Sequence, residues 1–165
     1  MSSNIVRLAV PMTLAQLVNV LYNIIDRIYI GRIGADATNA LTGLGVCFPI
    51  ITMILAFSNL VGMGGAPLFS MRHGAGEPEE AEAILGNCFS LLLGIGVSLT
   101  VFGLLIRRPL LLALGASETT LPYAMSYITI YLFGTIFVML SLGLNQFINA
   151  QGFGTTGMLT VIIGA

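Results

Sequence analysis

A chain of 165 residues that is 56% hydrophobic and only 8% charged is too poor in charge for a soluble domain, where about 25% of residues are charged. Its mean hydropathy is +0.98, and its apolar runs are longer than a soluble core uses, so the class is an all-α polytopic membrane protein. The net charge of −1, with six basic residues that are all Arg, leaves no basic footprint for nucleic acid. Cys47 and Cys88 each sit inside an apolar run. They read as buried thiols rather than a disulfide, and no metal-ligand spacing is present.

The first apolar run, Ile5 to Ile30, reads as a spanning helix. It is too long and too interrupted by amides for a cleaved signal peptide. Ser3 or Asn4 caps it, and Gly31 and Gly34 end it. Pro11 removes a backbone hydrogen bond and should bend the helix, either as an ordinary bundle kink or as a gating hinge. Gln16, Asn19, Tyr22, Asn23 and Asp26 share an arc of roughly 120° at 100° per residue, with Leu, Ile and Val opposite. Ala15 and Met12 fall in the same arc. Such a stripe turns from lipid towards other helices or a wet cavity. Asp26 has two readings. It lies about 7 Å from the helix end, where Arg27 or Arg32 would neutralise it as an interfacial charge. The amides beside it favour a functional site.

Helix 2 is expected from about Thr38 to Met71, roughly 50 Å against a hydrocarbon core of about 30 Å. It must tilt, protrude or bend, with Pro49, Pro67, Gly62, Gly64 and Gly65 the expected places. The glycines also let a neighbouring backbone approach closely. The segment RHGAGEPEEAE at 72–82 turns at Gly74 and Gly76, and Pro78 opens helix 3. Glu79, Glu80 and Glu82 then fall where the helix dipole favours acids. His73, beside Arg72, reads as a solvated loop residue.

Helix 3 is expected over about 79–106, stopped by Arg107, Arg108 and Pro109, with 109–116 lying along the membrane interface. Helix 4, about 121–149, is capped by Ser117 or a nearby Thr. It carries Tyr127, Tyr131, Thr135, Val138, Leu142, Asn145 and Asn149 on one face. Tyr127, Tyr131 and Thr135 join Gln16, Asn19, Tyr22 and Asn23 as candidates for lining a cavity. A polar turn follows, and a fifth apolar run occupies about 155–165. That run is too short to span, since about 20 residues are needed. The expectation is a fragment that breaks off inside helix 5, with a re-entrant end as the alternative.

Four stretches, in order, carry a resemblance: LAVPMTLAQLVNVLYNIIDRIYIGRIG (8–34), ALTGLGVCFPI (40–50), RHGAGEPEEAEAILGN (72–87) and SLGLNQFINAQGFG (141–154). Together they resemble the N-terminal part of the MATE (multidrug and toxic compound extrusion) transporters, most of all the Mep-type bacterial exporters. The resemblance implies two lobes of six helices that rock to alternate access. This chain would supply helices 1–4 and the start of helix 5. It implies that an acid in helix 1, fifteen residues after a bending Pro, couples transport to Na⁺ or H⁺; Pro11 and Asp26 match that pair. Asn145 matches an amide in helix 4 facing the same pocket. Organic cations are the implied substrates, with no cofactor beyond the coupling ion. Membrane lipids, the remaining helices and the C-terminal lobe are the implied partners, in a bacterial cytoplasmic membrane.

Other functions compete with export. A lipid-linked saccharide flippase would favour a basic central cavity, and no Arg lies in the middle of a helix. A non-transporting scaffold subunit would use the polar faces as helix–helix contacts. An enzyme lacks support, since no Ser/His, paired-acid or metal constellation appears, and no P-loop for ATP-driven transport. Orientation divides two arguments. Arg27, Arg32, Arg107 and Arg108 would place the 31–37 and 107–120 loops inside by the positive-inside rule. The family resemblance places the N-terminus inside instead, and we follow it.

Overall fold

The computed structural model describes the backbone of residues 2–32 and 37–164. Side chains are described from Val10 onward, except at Pro11, Met12, Ala15, Asn19, Asn23 and Asp26. Five helices follow one another: α1 (Ser2–Ile30), α2 (Ala37–Gly74), α3 (Pro78–Ala113), α4 (Leu121–Ala150) and α5 (Gly154–Gly164). No strand occurs among the described residues. α2, α3 and α4 are each long and apolar enough to cross a membrane. α1, with 29 residues, reaches about 43 Å and has the length to do so. Large apolar side chains point outward, among them Phe137, Leu105 and Ile130 at 76%, 74% and 74% exposure, a surface suited to lipid or further helices rather than water.

α2, α3 and α4 pack on one another as a three-helix unit, while α1 lies mainly against α5 and only slightly against α2. Cys47, Ile54, Leu92, Leu111, Ile128, Leu132 and Met139 form the core of the three-helix unit. A second cluster of Ala66, Phe69, Ala81 and Phe147 closes its end near the α2–α3 turn. Association in lipid lacks a hydrophobic driving force, so close packing and interhelical hydrogen bonds must hold the helices. Both are visible. Gly62 brings α2 so near α4 that a Cβ there would lie 3.0 Å from the Gly143 carbonyl oxygen. Ser58 Oγ donates to the Met139 carbonyl at 3.0 Å. Thr100 Oγ1 donates to the Leu132 carbonyl at 3.1 Å, and an Arg107 guanidinium nitrogen donates to Thr129 Oγ1 at 2.5 Å. α2 runs unbroken through Pro49 and Pro67.

α3 corrects an expectation. It does not stop at 106 but passes through Pro109 to Ala113, so 109–113 is helix and no separate interfacial segment begins there. Pro109 costs one backbone hydrogen bond, yet the turn beyond it seats Leu111, fully buried, in the core. The stop comes at Gly115, whose φ of +97° suits a residue without a Cβ. Ala116 N–H donates to the Leu111 carbonyl and Gly115 N–H to that of Leu112, the two bonds of a Schellman cap. The same pair of bonds closes α2 at Gly76 and α4 at Gly152.

Candidate functional site

The α1 stripe is the natural place to begin, because it carries the one acid expected inside the membrane. The backbone of α1 is helical throughout Ser2–Ile30, so the register that puts Gln16, Asn19, Tyr22, Asn23 and Asp26 in one arc is kept. Gln16 and Tyr22 are both exposed. The side chains of Pro11, Asn19, Asn23 and Asp26 lie outside the described residues. Among the described residues no group of three His, Cys, Asp or Glu is placed to hold a metal ion.

The face of α4 divides into three parts. Tyr127 and Tyr131 stack with ring centroids 6.3 Å apart and planes 21° from parallel, and both are half-buried. Thr135 is fully buried, and its hydroxyl donates to the Tyr131 carbonyl one turn back at 3.1 Å. The core face of α4, running from Ala124 through Ile128, Leu132 and Met139 to Phe147, is turned by about 90° from the centre of the Tyr–Asn stripe. Thr135 sits where the two faces overlap, so in this arrangement it presents no open surface.

Asn145 and Asn149 turn towards α5. Asn145 Nδ2 donates to the Gly157 carbonyl at 3.0 Å and to Thr160 Oγ1 at 2.7 Å. Asn149 Nδ2 donates to Asn145 Oδ1 at 2.7 Å. Both amide protons of Asn145 are thereby engaged. The geometry makes Asn145 the joint between α4 and α5. Among the described residues α1 has no close backbone contact with α4; α5 touches both, and α2, packed closely on α4, touches α1 slightly. α5, against which most of α1 packs and to which Asn145 is bonded, is the shortest route between the α1 stripe and Asn145. Thr160 was missed in sequence. Its only signal was a polar residue in an apolar run, three residues after Gly157 and facing an amide pair at the i, i+4 spacing.

A second α1 contact was also missed. The Arg27 guanidinium carbon lies 5.3 Å from the centroid of the Phe48 ring on α2, a cation–π distance. At the far end of the three-helix unit, Arg72 bonds Glu77 at 2.8 Å and Glu80 at 3.0 Å. His73 stacks on Phe69 at 5.7 Å. All of these charged groups are exposed, so they tie the α2–α3 turn at the membrane surface and contribute little to stability.

These features define a multi-pass α-helical membrane protein. The family follows from comparison: the MatE family model matches residues 11–165, and the chain belongs to that family, whose members are transporters and not enzymes. It is 29% identical over 144 residues to the multidrug export protein MepA of Staphylococcus haemolyticus, covering 87% of this chain and 31% of that one. It is 24% identical to the probable multidrug resistance protein YoeA of Bacillus subtilis, with 93% and 33% covered. It is 26% identical to an FAD transporter of Shewanella oneidensis, with 92% and 34% covered. The crystal structure of MATE in complex with MaD5 superposes with a TM-score of 0.89 at 27% identity, covering 98% of this chain and 36% of that one. An outward-facing multidrug resistance MATE transporter superposes equally, at 0.89 and 27%, with 98% and 35% covered. The chain spans about a third of the length of the curated relatives it matches.

Proposed function

We propose that this chain forms the helix 1–5 part of a secondary multidrug antiporter that exports organic cations in exchange for Na⁺ or H⁺. The observation that carries the reading is the family match over 11–165, on a chain whose first helix bears an acid within a polar arc. Multidrug export proteins recur among its relatives. An ionised carboxylate within a bilayer costs about 2.5–3.5 kcal/mol on insertion scales, and a bound proton or Na⁺ removes that cost by neutralising it. In this reading Asp26 alternates between the two charge states. Each state favours one facing of the carrier, and the ion gradient then drives drug outward. The drive is bounded by the ion's differential affinity for the two facings.

Asn145 enters this reading through α5: a shift of α1 that moves α5 reaches Asn145 through its bonds to Gly157 and Thr160. Tyr127, Tyr131, Gln16, Asn19, Tyr22 and Asn23 are assigned to the drug path, where aromatic and amide walls suit varied cations. The test is efflux of a fluorescent lipophilic cation from cells expressing the full-length protein, before and after ionophores collapse the Na⁺ or H⁺ gradient. Efflux that stops with one gradient names the coupling ion. Efflux that survives collapse of both refutes secondary transport.

A further inference from the structure

Between α1 and α2 the structure holds a groove of about 490 Å³ walled by Ile24, Ile28, Leu41 and Phe48, with Gly45 and Arg27 in its lining. It lies between two helices that touch only slightly among the described residues. Its walls are open: Ile24, Ile28 and Phe48 are 49%, 51% and 49% exposed. A Cβ on Gly45 would meet nothing within 4 Å. Among the described residues of the lining, Arg27 is the one that carries a charge. It lies in the last turn of α1, the level at which a spanning helix meets the headgroups. Its guanidinium rests over the Phe48 ring, which fixes the cation at the edge of an apolar wall.

We propose that this groove holds one anionic phospholipid, with an acyl chain between α1 and α2 and its phosphate paired with Arg27. The charge selects the occupant. A cationic drug would meet a like charge, and a zwitterionic lipid places its own cation beside the guanidinium. A phosphate without a compensating cation takes the bidentate pairing that Arg offers. With the N-terminus inside, Arg27 lies at the outer headgroup level, so the pairing rests on guanidinium–phosphate geometry and not on the potential of the inner leaflet. The seated chain fills the space α1 leaves beside α2, on the helix that carries Asp26, so the membrane's anionic lipid content bears on how that helix is held. The inference is independent of the drug and of the coupling ion.

The experiment is native mass spectrometry of the detergent-purified full-length protein with phosphatidylglycerol, with phosphatidylcholine of the same chains, and with inorganic phosphate as competitor. Arg27→Gln and Gly45→Leu are compared with the parent. The parent is expected to retain one phosphatidylglycerol in preference to phosphatidylcholine. Arg27→Gln should weaken phosphatidylglycerol about five-fold, the upper end for one exposed ion pair, and erase the preference. Gly45→Leu, which fills the groove, should weaken both lipids, and millimolar phosphate should displace neither. Equal retention of the two lipids by the parent overturns the proposal. So does displacement by free phosphate, or retention that is the same in all three proteins, the outcome if protein covers the groove instead. Arg27→Gln alters an exposed side chain, so it keeps the test decisive even if Gly45→Leu does not fold.

Discussion

Gly62→Ala adds one methyl group at the place where α2 and α4 come closest. The new Cβ would lie 3.0 Å from the Gly143 carbonyl oxygen, 3.2 Å from Gly143 Cα and 2.9 Å from Gln146 Cγ. The Gln146 side chain can swing aside; the two backbone atoms of Gly143 cannot. The helices must part by a few tenths of an ångström, and the Ser58–Met139 bond at 3.0 Å, one turn away on α2, stretches with them. Overpacking of this kind costs about 1–3 kcal/mol. Gly64→Ala is the internal control. It lies two residues along the same helix, where a Cβ meets nothing within 4 Å, and replacing Gly in a helix gains about 0.5–1 kcal/mol. The assay is thermal unfolding of the full-length protein in detergent, followed by maleimide reaction at Cys47, which is fully buried in the folded state. For a protein about three times this chain's length the shift is about 1 °C per kcal/mol, so Gly62→Ala lowers the midpoint by about 1–3 °C, while Gly64→Ala holds or raises it. Equal midpoints for the two variants would refute the argument that backbone contact at Gly62 sets the α2–α4 spacing.

Three further outcomes follow from named contacts. Ser58→Ala removes a fully buried donor to the Met139 carbonyl and should cost about 0.5–1.5 kcal/mol in the same unfolding assay; an unchanged midpoint contradicts this. Asn145→Leu removes the acceptor of Asn149 Nδ2 and the two bonds that α4 donates to Gly157 and Thr160 on α5, which keep only their bond to each other. At about 0.5–1.5 kcal/mol for each of the two interhelical bonds lost, amide exchange across 154–163 should speed by about ten-fold or more, and unchanged exchange would show that apolar packing alone holds α5. A Ser117→Cys variant of a cysteine-free full-length protein should be labelled by an impermeant maleimide in intact cells, since the N-terminus is placed inside; labelling only after permeabilisation reverses the orientation.

The helices themselves were legible because long apolar runs leave little choice in lipid. α2 and α4 were bounded to within three residues, Thr38–Met71 against Ala37–Gly74 and 121–149 against Leu121–Ala150. α3 was not, for a physical reason. Arg107, Arg108 and Pro109 are good local stop signals, but they were outweighed by what Leu111 contributes once buried, and burial depends on a neighbour the local sequence does not reveal. The true stop, Gly115, was visible as a glycine but was passed over for the proline. On α4 the 3–4 spacing correctly grouped Tyr127, Tyr131, Thr135, Asn145 and Asn149, yet spacing gives one face and not what lies against it. Thr135 is packed in the core and Asn145 is bonded to α5, because the three-helix unit and α5 meet α4 at adjacent angles. That α1 would pack mainly on α5, and only slightly on its chain neighbour α2, left no periodic trace at all.

The most direct test of the account is export by an Asp26→Asn variant of the full-length protein beside the parent, at matched membrane levels. Both are reconstituted in vesicles with an imposed Na⁺ or H⁺ gradient and a fluorescent organic cation. The account predicts gradient-driven export by the parent, and by the variant only the leak seen in protein-free vesicles. Equal export by the two proteins would make Asp26 an interfacial charge and contradict the account.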